Sequence, residues 1–114
     1  MTGVQTCALP ISALQIDPAS ANAHAILGEI LYLYERDHPG GRAHLERAIA
    51  LDPGNANALT SLCELSMYEG RLEDAEDLCR RAVDVDLLSF RGSWLLATLK
   101  RLQGNLDEIG RAHV

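Results

Sequence analysis

Leucines and small residues recur at three- and four-residue steps through most of this chain, and glycine, proline and aspartate cut the stretches that carry them. Leu59, Leu62, Leu65 and Ser66 fall on one face of a helix predicted over 56–69, and Gly70, free to take a positive φ, stops it. The same spacing resumes at Leu72 and runs through Ala75, Leu78, Cys79, Ala82 and Val83. Glu73 and Asp74 occupy the first turn of this second helix, where the helix dipole favours negative charge, and Arg80 and Arg81 lie toward its other end. Glu76 precedes Arg80 and Asp77 precedes Arg81 by four positions. Such pairs stabilise a helix by roughly 0.2–0.5 kcal/mol each and mark a solvated face.

This two-helix unit repeats. Gly70-Arg71-Leu72-Glu73-Asp74-Ala75 and Gly104-Asn105-Leu106-Asp107-Glu108-Ile109 stand 34 residues apart, and Ala21-Asn22-Ala23 precedes Ala56-Asn57-Ala58 by 35. Asp17-Pro18, Asp52-Pro53 and Asp86-Leu87 mark successive unit ends, and Ser20, Asn55 and Ser89, all N-cap residue types, fall one residue before each first helix. A helical period of this length predicts an all-α superhelix of stacked hairpins, not a globular enzyme core. The units are 21–55, 56–89 and a truncated third over 90–108, preceded at 13–20 by the tail of another. In the first unit the opening helix reaches Tyr34, one extra residue enters the turn Glu35-Arg36-Asp37-His38, and the second helix starts near Pro39 with Asp37 as its cap. In the third, the helix from Phe90 is expected to end at Gln103 in a turn at Gly104.

These residues resemble the tetratricopeptide repeats. Leu59, Leu62-Cys63, Ser66, Ala75, Cys79 and Leu87 stand at that family's marker positions, with Ala82 as its late small residue. The preceding unit offers His24, Leu27-Gly28, Leu31, Gly41, Leu45, Ala48 and Pro53, and the following one Ser93, Leu96-Ala97 and Lys100. The aromatic places are poorly kept. Small residues at the helix crossing, the Asp-Pro endings and the glycine before the second helix carry the resemblance, in register across almost all of residues 13–109.

The resemblance implies a protein-interaction scaffold that binds a peptide or partner protein in a concave groove lined by the first helices. Its groove positions fall on Asn22, Ala25, Glu29, Tyr32 and Leu33, on Asn57, Thr60, Glu64, Met67 and Tyr68, and on Arg91, Trp94, Thr98 and Arg101. Asn22 with Asn57, and Glu29 with Glu64, form like pairs one unit apart, so an extended peptide would meet the same amide and the same carboxylate twice. A purely helical reason exists for both pairs, since asparagine follows the cap and glutamate is a good helix former. Members that bind chaperone tails clamp a terminal carboxylate with Lys and Asn. Ala25, Glu29, Thr60 and Glu64 stand at those places here, which argues against that ligand class and for a basic or neutral partner. A narrower similarity, in Tyr34-Glu35-Arg36-Asp37 and Asp86-Leu87-Leu88-Ser89, is to repeat arrays attached to bacterial nucleotide cyclases and winged-helix regulators. It implies the alternative role of a regulatory or sensory arm of a larger signalling protein.

The ends of the chain read differently. Thr6-Cys7-Ala8-Leu9-Pro10-Ile11 and Ile109-Gly110-Arg111-Ala112-His113-Val114 can be encoded by opposite strands of one DNA sequence, and the string is similar to a common sequencing-library adapter. Residues 1–12 and 109–114 are therefore expected to be non-native. The alternative for the apolar start, a signal peptide, lacks a basic leading region. With the third unit uncapped, self-association through its exposed leucines is expected.

Charge and candidate chemistry narrow the function classes. Setting Arg111 aside, nine basic residues face sixteen acidic ones, which argues against nucleic acid or an anionic membrane as partner. No stretch approaches the roughly 20 apolar residues that span a bilayer. Lys100 is the only lysine, an arginine bias that a GC-rich, bacterial genome would give. Cys63 and Cys79 are expected as buried thiols at the helix crossing, their separation matches no zinc pattern, and a reducing, cytoplasmic setting follows from that reading. His24 and His44 lie on separate helices and His38 in a turn, without partners at metal spacing, so structural or surface roles are expected. No nucleophile motif or phosphate loop is present, and no catalytic activity, cofactor or metal is expected.

Overall fold

Three connections in the chain are built alike, and they decide where the helices start. Asp17, Asp52 and Asp86 each accept, through a side-chain oxygen, a bond from the backbone N–H two residues on, at 3.1–3.2 Å. Their carbonyls accept from the N–H of Ser20, Asn55 and Ser89. Those three residues in turn cap the next helix, accepting from Ala23, Ala58 and Gly92 at 3.1, 2.9 and 3.1 Å. The aspartate makes the turn, so the proline after it can be exchanged for Leu87 without loss of the connection.

The computed structural model describes residues 17–112, with side chains as far as residue 105. Five helices follow one another: α1 (Ala21–Leu33), α2 (His38–Leu51), α3 (Ala56–Tyr68), α4 (Leu72–Val85) and α5 (Phe90–Ala112). α1 with α2 and α3 with α4 form hairpins; α3 packs on both helices of the first hairpin, and α5 on both helices of the second. The first helices α1, α3 and α5 therefore stack side by side, as the all-α superhelix requires. The segment 1–12 and the expected repeat tail at 13–16 lie outside the described residues.

Because α3 has neighbours on both sides, its polar residues are buried along with its leucines. Leu59, Leu65 and Cys63 are inaccessible, and so are Ser61 and Ser66. Each buried hydroxyl of α3 has a partner: Ser61 donates to Glu29, Ser66 accepts from Arg42, and Thr60 donates to the carbonyls of Ala56 and Asn57. Burial without such bonds would cost about 1–3 kcal/mol per group. α3 ends at Gly70, whose φ of +80° lets its N–H reach Met67 O while the Arg71 N–H reaches Ser66 O. α1 ends less economically: the extra residue puts Arg36 at φ +57°.

Two expectations are corrected. The helix from Phe90 does not stop at Gly104 but runs to Ala112. Gly104 keeps helical backbone, with nothing within 4 Å of where a Cβ would stand, since a glycine permits a left-handed stop without requiring one. Cys63 and Cys79 are buried at the crossing of α3 and α4 as expected, but as a disulfide and not as thiols, with their Cα atoms 5.7 Å apart. The reducing compartment inferred from free thiols loses its support. Leu95 and Leu99 of α5 pack inward, Leu96 is half-buried, and Leu102 is 38% exposed.

Candidate functional site

The stacked first helices expose a face on which two depressions open. The larger, about 460 Å³, is lined by Asn22, Ala25, Glu29, Asn57 and Arg91 together with Ile26, Ile30 and Tyr34. The smaller, about 370 Å³, is lined by Tyr32, Leu33 and Tyr68 with Arg36 and His38.

Residues expected in the groove form a network that crosses three repeats. Arg91 of α5 reaches Glu29 of α1 at 3.4 Å and Glu64 of α3 at 3.6 Å. Glu29 also accepts from the Ser61 hydroxyl at 2.6 Å, and Glu64 from the Tyr32 hydroxyl at 2.9 Å. Asn55 donates to Asn22 at 2.8 Å, which fixes the carboxamide of Asn22 and leaves its N–H₂ directed away from that bond. Burial, then donation to Glu64, push the Tyr32 phenol well above its ordinary range, so it stays protonated and keeps donating. Burial works against the charge of Arg91, but Glu29 and Glu64 outweigh it and hold the guanidinium above its usual value.

The other expected positions divide by burial. Thr60 is buried with its hydroxyl turned to the α3 backbone, and Tyr32, 3% exposed, shows only its edge to the smaller depression. Met67 packs against the core, whereas Tyr68 and Trp94 are 62% and 53% exposed. Ile26, Ile30 and Tyr34 were not among the expected positions. They recur every four residues along α1, a stripe beside the groove positions that belongs to neither the hairpin crossing nor the polar surface.

A second pairing was also missed. His24 and His44, on α1 and α2, approach with Nδ1 atoms 3.1 Å apart and rings stacked at 5.3 Å between centroids. His24 Nε2 donates to the Pro18 carbonyl at 2.8 Å, so in the neutral pair His24 Nδ1 accepts and His44 Nδ1 donates. Burial, and then the proximity of His24, lower the His44 value. Among the described residues no group of three or more potential metal ligands comes together.

The family model described as "Tetratricopeptide repeat" matches residues 32–88, half of the chain. The chain belongs to the tetratricopeptide repeat family. Solved repeat domains share its fold at low identity. The Sgt2 TPR domain from Aspergillus fumigatus superposes with a TM-score of 0.78 at 20% identity, covering 92% of this chain and 68% of that one. The first TPR domain of human RPAP3 gives 0.76 at 13% identity over 87% and 77% of the two chains. The first TPR of Spaghetti (RPAP3), bound to the HSP90 peptide SRMEEVD, gives 0.74 at 14% over 83% and 75%. A search of the curated proteins finds no match. Among the described residues no helix of this repeat protein is long and apolar enough to cross a membrane.

Proposed function

We propose that this chain is a protein-interaction scaffold whose larger groove takes an extended peptide segment of a partner protein. One observation carries the reading: Asn22 and Asn57, equivalent positions on successive first helices, open into the same groove beside Ile26 and Ile30. A carboxamide offers both a donor and an acceptor, which is what a peptide main chain needs from its receptor, and the apolar stripe gives a side chain somewhere to bury. The chaperone peptide held by the Spaghetti domain ends in Glu-Glu-Val-Asp. The carboxylates of Glu29 and Glu64 would repel such a tail, so a basic or neutral segment suits this groove. A compartment that leaves the Cys63–Cys79 bond closed suits the fold better than a reducing cytoplasm.

The test is a peptide selected on the protein from a displayed library, then measured by calorimetry. Asn22→Ala with Asn57→Ala is expected to weaken it at least tenfold. A selected peptide indifferent to both changes would place binding elsewhere.

A further inference from the structure

We propose that the partner's segment carries an arginine or lysine, and that this side chain enters the groove by taking the place of Arg91 between Glu29 and Glu64. The proposal rests on the groove reading given above. Arg91 is on this view an internal stand-in for the ligand's cation, and its departure sets the threshold for binding.

The two carboxylates are oriented by something other than Arg91. Glu29 is held by the Ser61 hydroxyl and Glu64 by the Tyr32 hydroxyl, and both donors belong to the core, at 0% and 3% exposure. They cannot turn away, so the acceptor pair is set for a cation before any cation arrives.

Arg91, by contrast, is held loosely. Its contacts of 3.4 and 3.6 Å are longer than the roughly 2.7–2.9 Å of a charge-assisted hydrogen bond, and its side chain is 38% exposed. Arg42 in the same molecule shows what a structural arginine looks like. It is 16% exposed, donates from both Nε and Nη2 to Glu69, and adds a bond to Ser66 at 2.9 Å.

An exchange of Arg91 for a ligand guanidinium or ammonium leaves the local charge balance unchanged. The incoming stem would lie along Ile26 and Ile30, and its main chain against Asn22 and Asn57. An acidic ligand seeking Arg91 would meet two carboxylates within 3.6 Å of the guanidinium, and Coulomb repulsion from both opposes it.

The test uses synthetic, end-blocked peptides selected from a displayed library on the wild-type protein, measured by calorimetry against four proteins: wild type, Arg91→Met, Arg91→Lys, and Asn22→Ala with Asn57→Ala. The expected result is peptides that contain Arg or Lys, bind about tenfold tighter to Arg91→Met, fall between for Arg91→Lys, and weaken when the asparagines are lost. Peptides without a basic residue, or weaker binding to Arg91→Met, overturn the proposal; if those peptides still depend on Asn22 and Asn57, the groove reading stands. Peptides indifferent to the asparagines, or a library that yields no binder, overturn both. Should Arg91→Met fail to fold, Arg91→Lys decides alone, because a single point charge cannot face both carboxylates and must release the site in part. Binding to Arg91→Lys no tighter than to wild type then overturns the proposal.

Discussion

The two complete hairpins close the same crossing with different chemistry. In the first, Gly28 and Gly41 let the backbones of α1 and α2 come together: a Cβ on Gly28 would stand 2.9 Å from the Gly41 carbonyl oxygen and 2.8 Å from Leu45 Cγ. In the second, the places of Gly28 and Leu45 are taken by Cys63 and Cys79, and a covalent bond joins α3 to α4. One hairpin relies on the absence of side chains and the other on a bond between them. The first therefore fails by crowding, and the second by reduction.

The largest expected effect is on the second hairpin. A disulfide that closes a loop of this size stabilises by roughly 3 kcal/mol in the chain-entropy account. Cys63→Ala with Cys79→Ala, or a phosphine reductant, should lower the melting temperature by more than about 10 °C, given about 4–8 °C per kcal/mol in a domain of this size. Melting unchanged by reductant would mean that packing alone closes this crossing.

Next is Gly28→Ala, expected to cost about 1–3 kcal/mol by overpacking. Leu45→Ala added to it should bring no net rescue, because truncating this fully buried leucine itself costs about 2–5 kcal/mol and the Gly41 carbonyl, being backbone, stays in the way. Full rescue, read by urea unfolding, would show that the side chain and not the backbone sets the spacing.

Near neutral pH the first hairpin should respond through His44. His44 has its folded value lowered, so the unfolded chain binds its proton first. The contribution is complete above the ordinary imidazole value of about 6.5 and is lost as the pH falls through the lowered one. His44→Phe should flatten the pH dependence of melting between about pH 7 and 5. A variant that kept the wild-type slope would assign the effect to other groups. The smallest effect is at the end of α1, where Arg36→Gly should stabilise by roughly 0.5–1 kcal/mol through relief of the left-handed backbone. A loss of stability there would show that the arginine side chain matters more than its φ.

These contrasts also show how far the sequence could be read. The caps at Ser20, Asn55 and Ser89 and the Gly70 stop were legible because each depends on neighbours three to five positions away. The course of the chain at Gly104 was not, since a glycine permits a helix stop without requiring one. The pairing of Cys63 with Cys79 was within reach of the sequence, because both stand at one helix crossing and burial there is as compatible with a disulfide as with two thiols. The contact of His24 with His44 bears the same signature of two residues assigned to facing helices. The link from Arg91 to Glu29, 62 residues away, depends on how successive repeats stack, which no local pattern encodes. Asn22, Glu29, Asn57 and Arg91, expected from family positions, line the larger depression together with Ile26 and Ile30, which were not expected there.

The aspartate turns bear on how a chain of this kind lengthens over generations. Asp17, Asp52 and Asp86 each sit three residues before the cap they support, and each closes on atoms of its own connection. A gene duplication that copies the stretch from one aspartate to the next therefore delivers a complete junction, whatever stands on either side. Only the lateral partners, such as the acceptors of Tyr32, Ser61 and Arg91, have to be found anew by mutation. Arg36 belongs to the turn that holds the one-residue difference between the two spans, 35 residues from Asp17 to Asp52 against 34 from Asp52 to Asp86, and that turn lies inside a unit, so the joints themselves keep the same form.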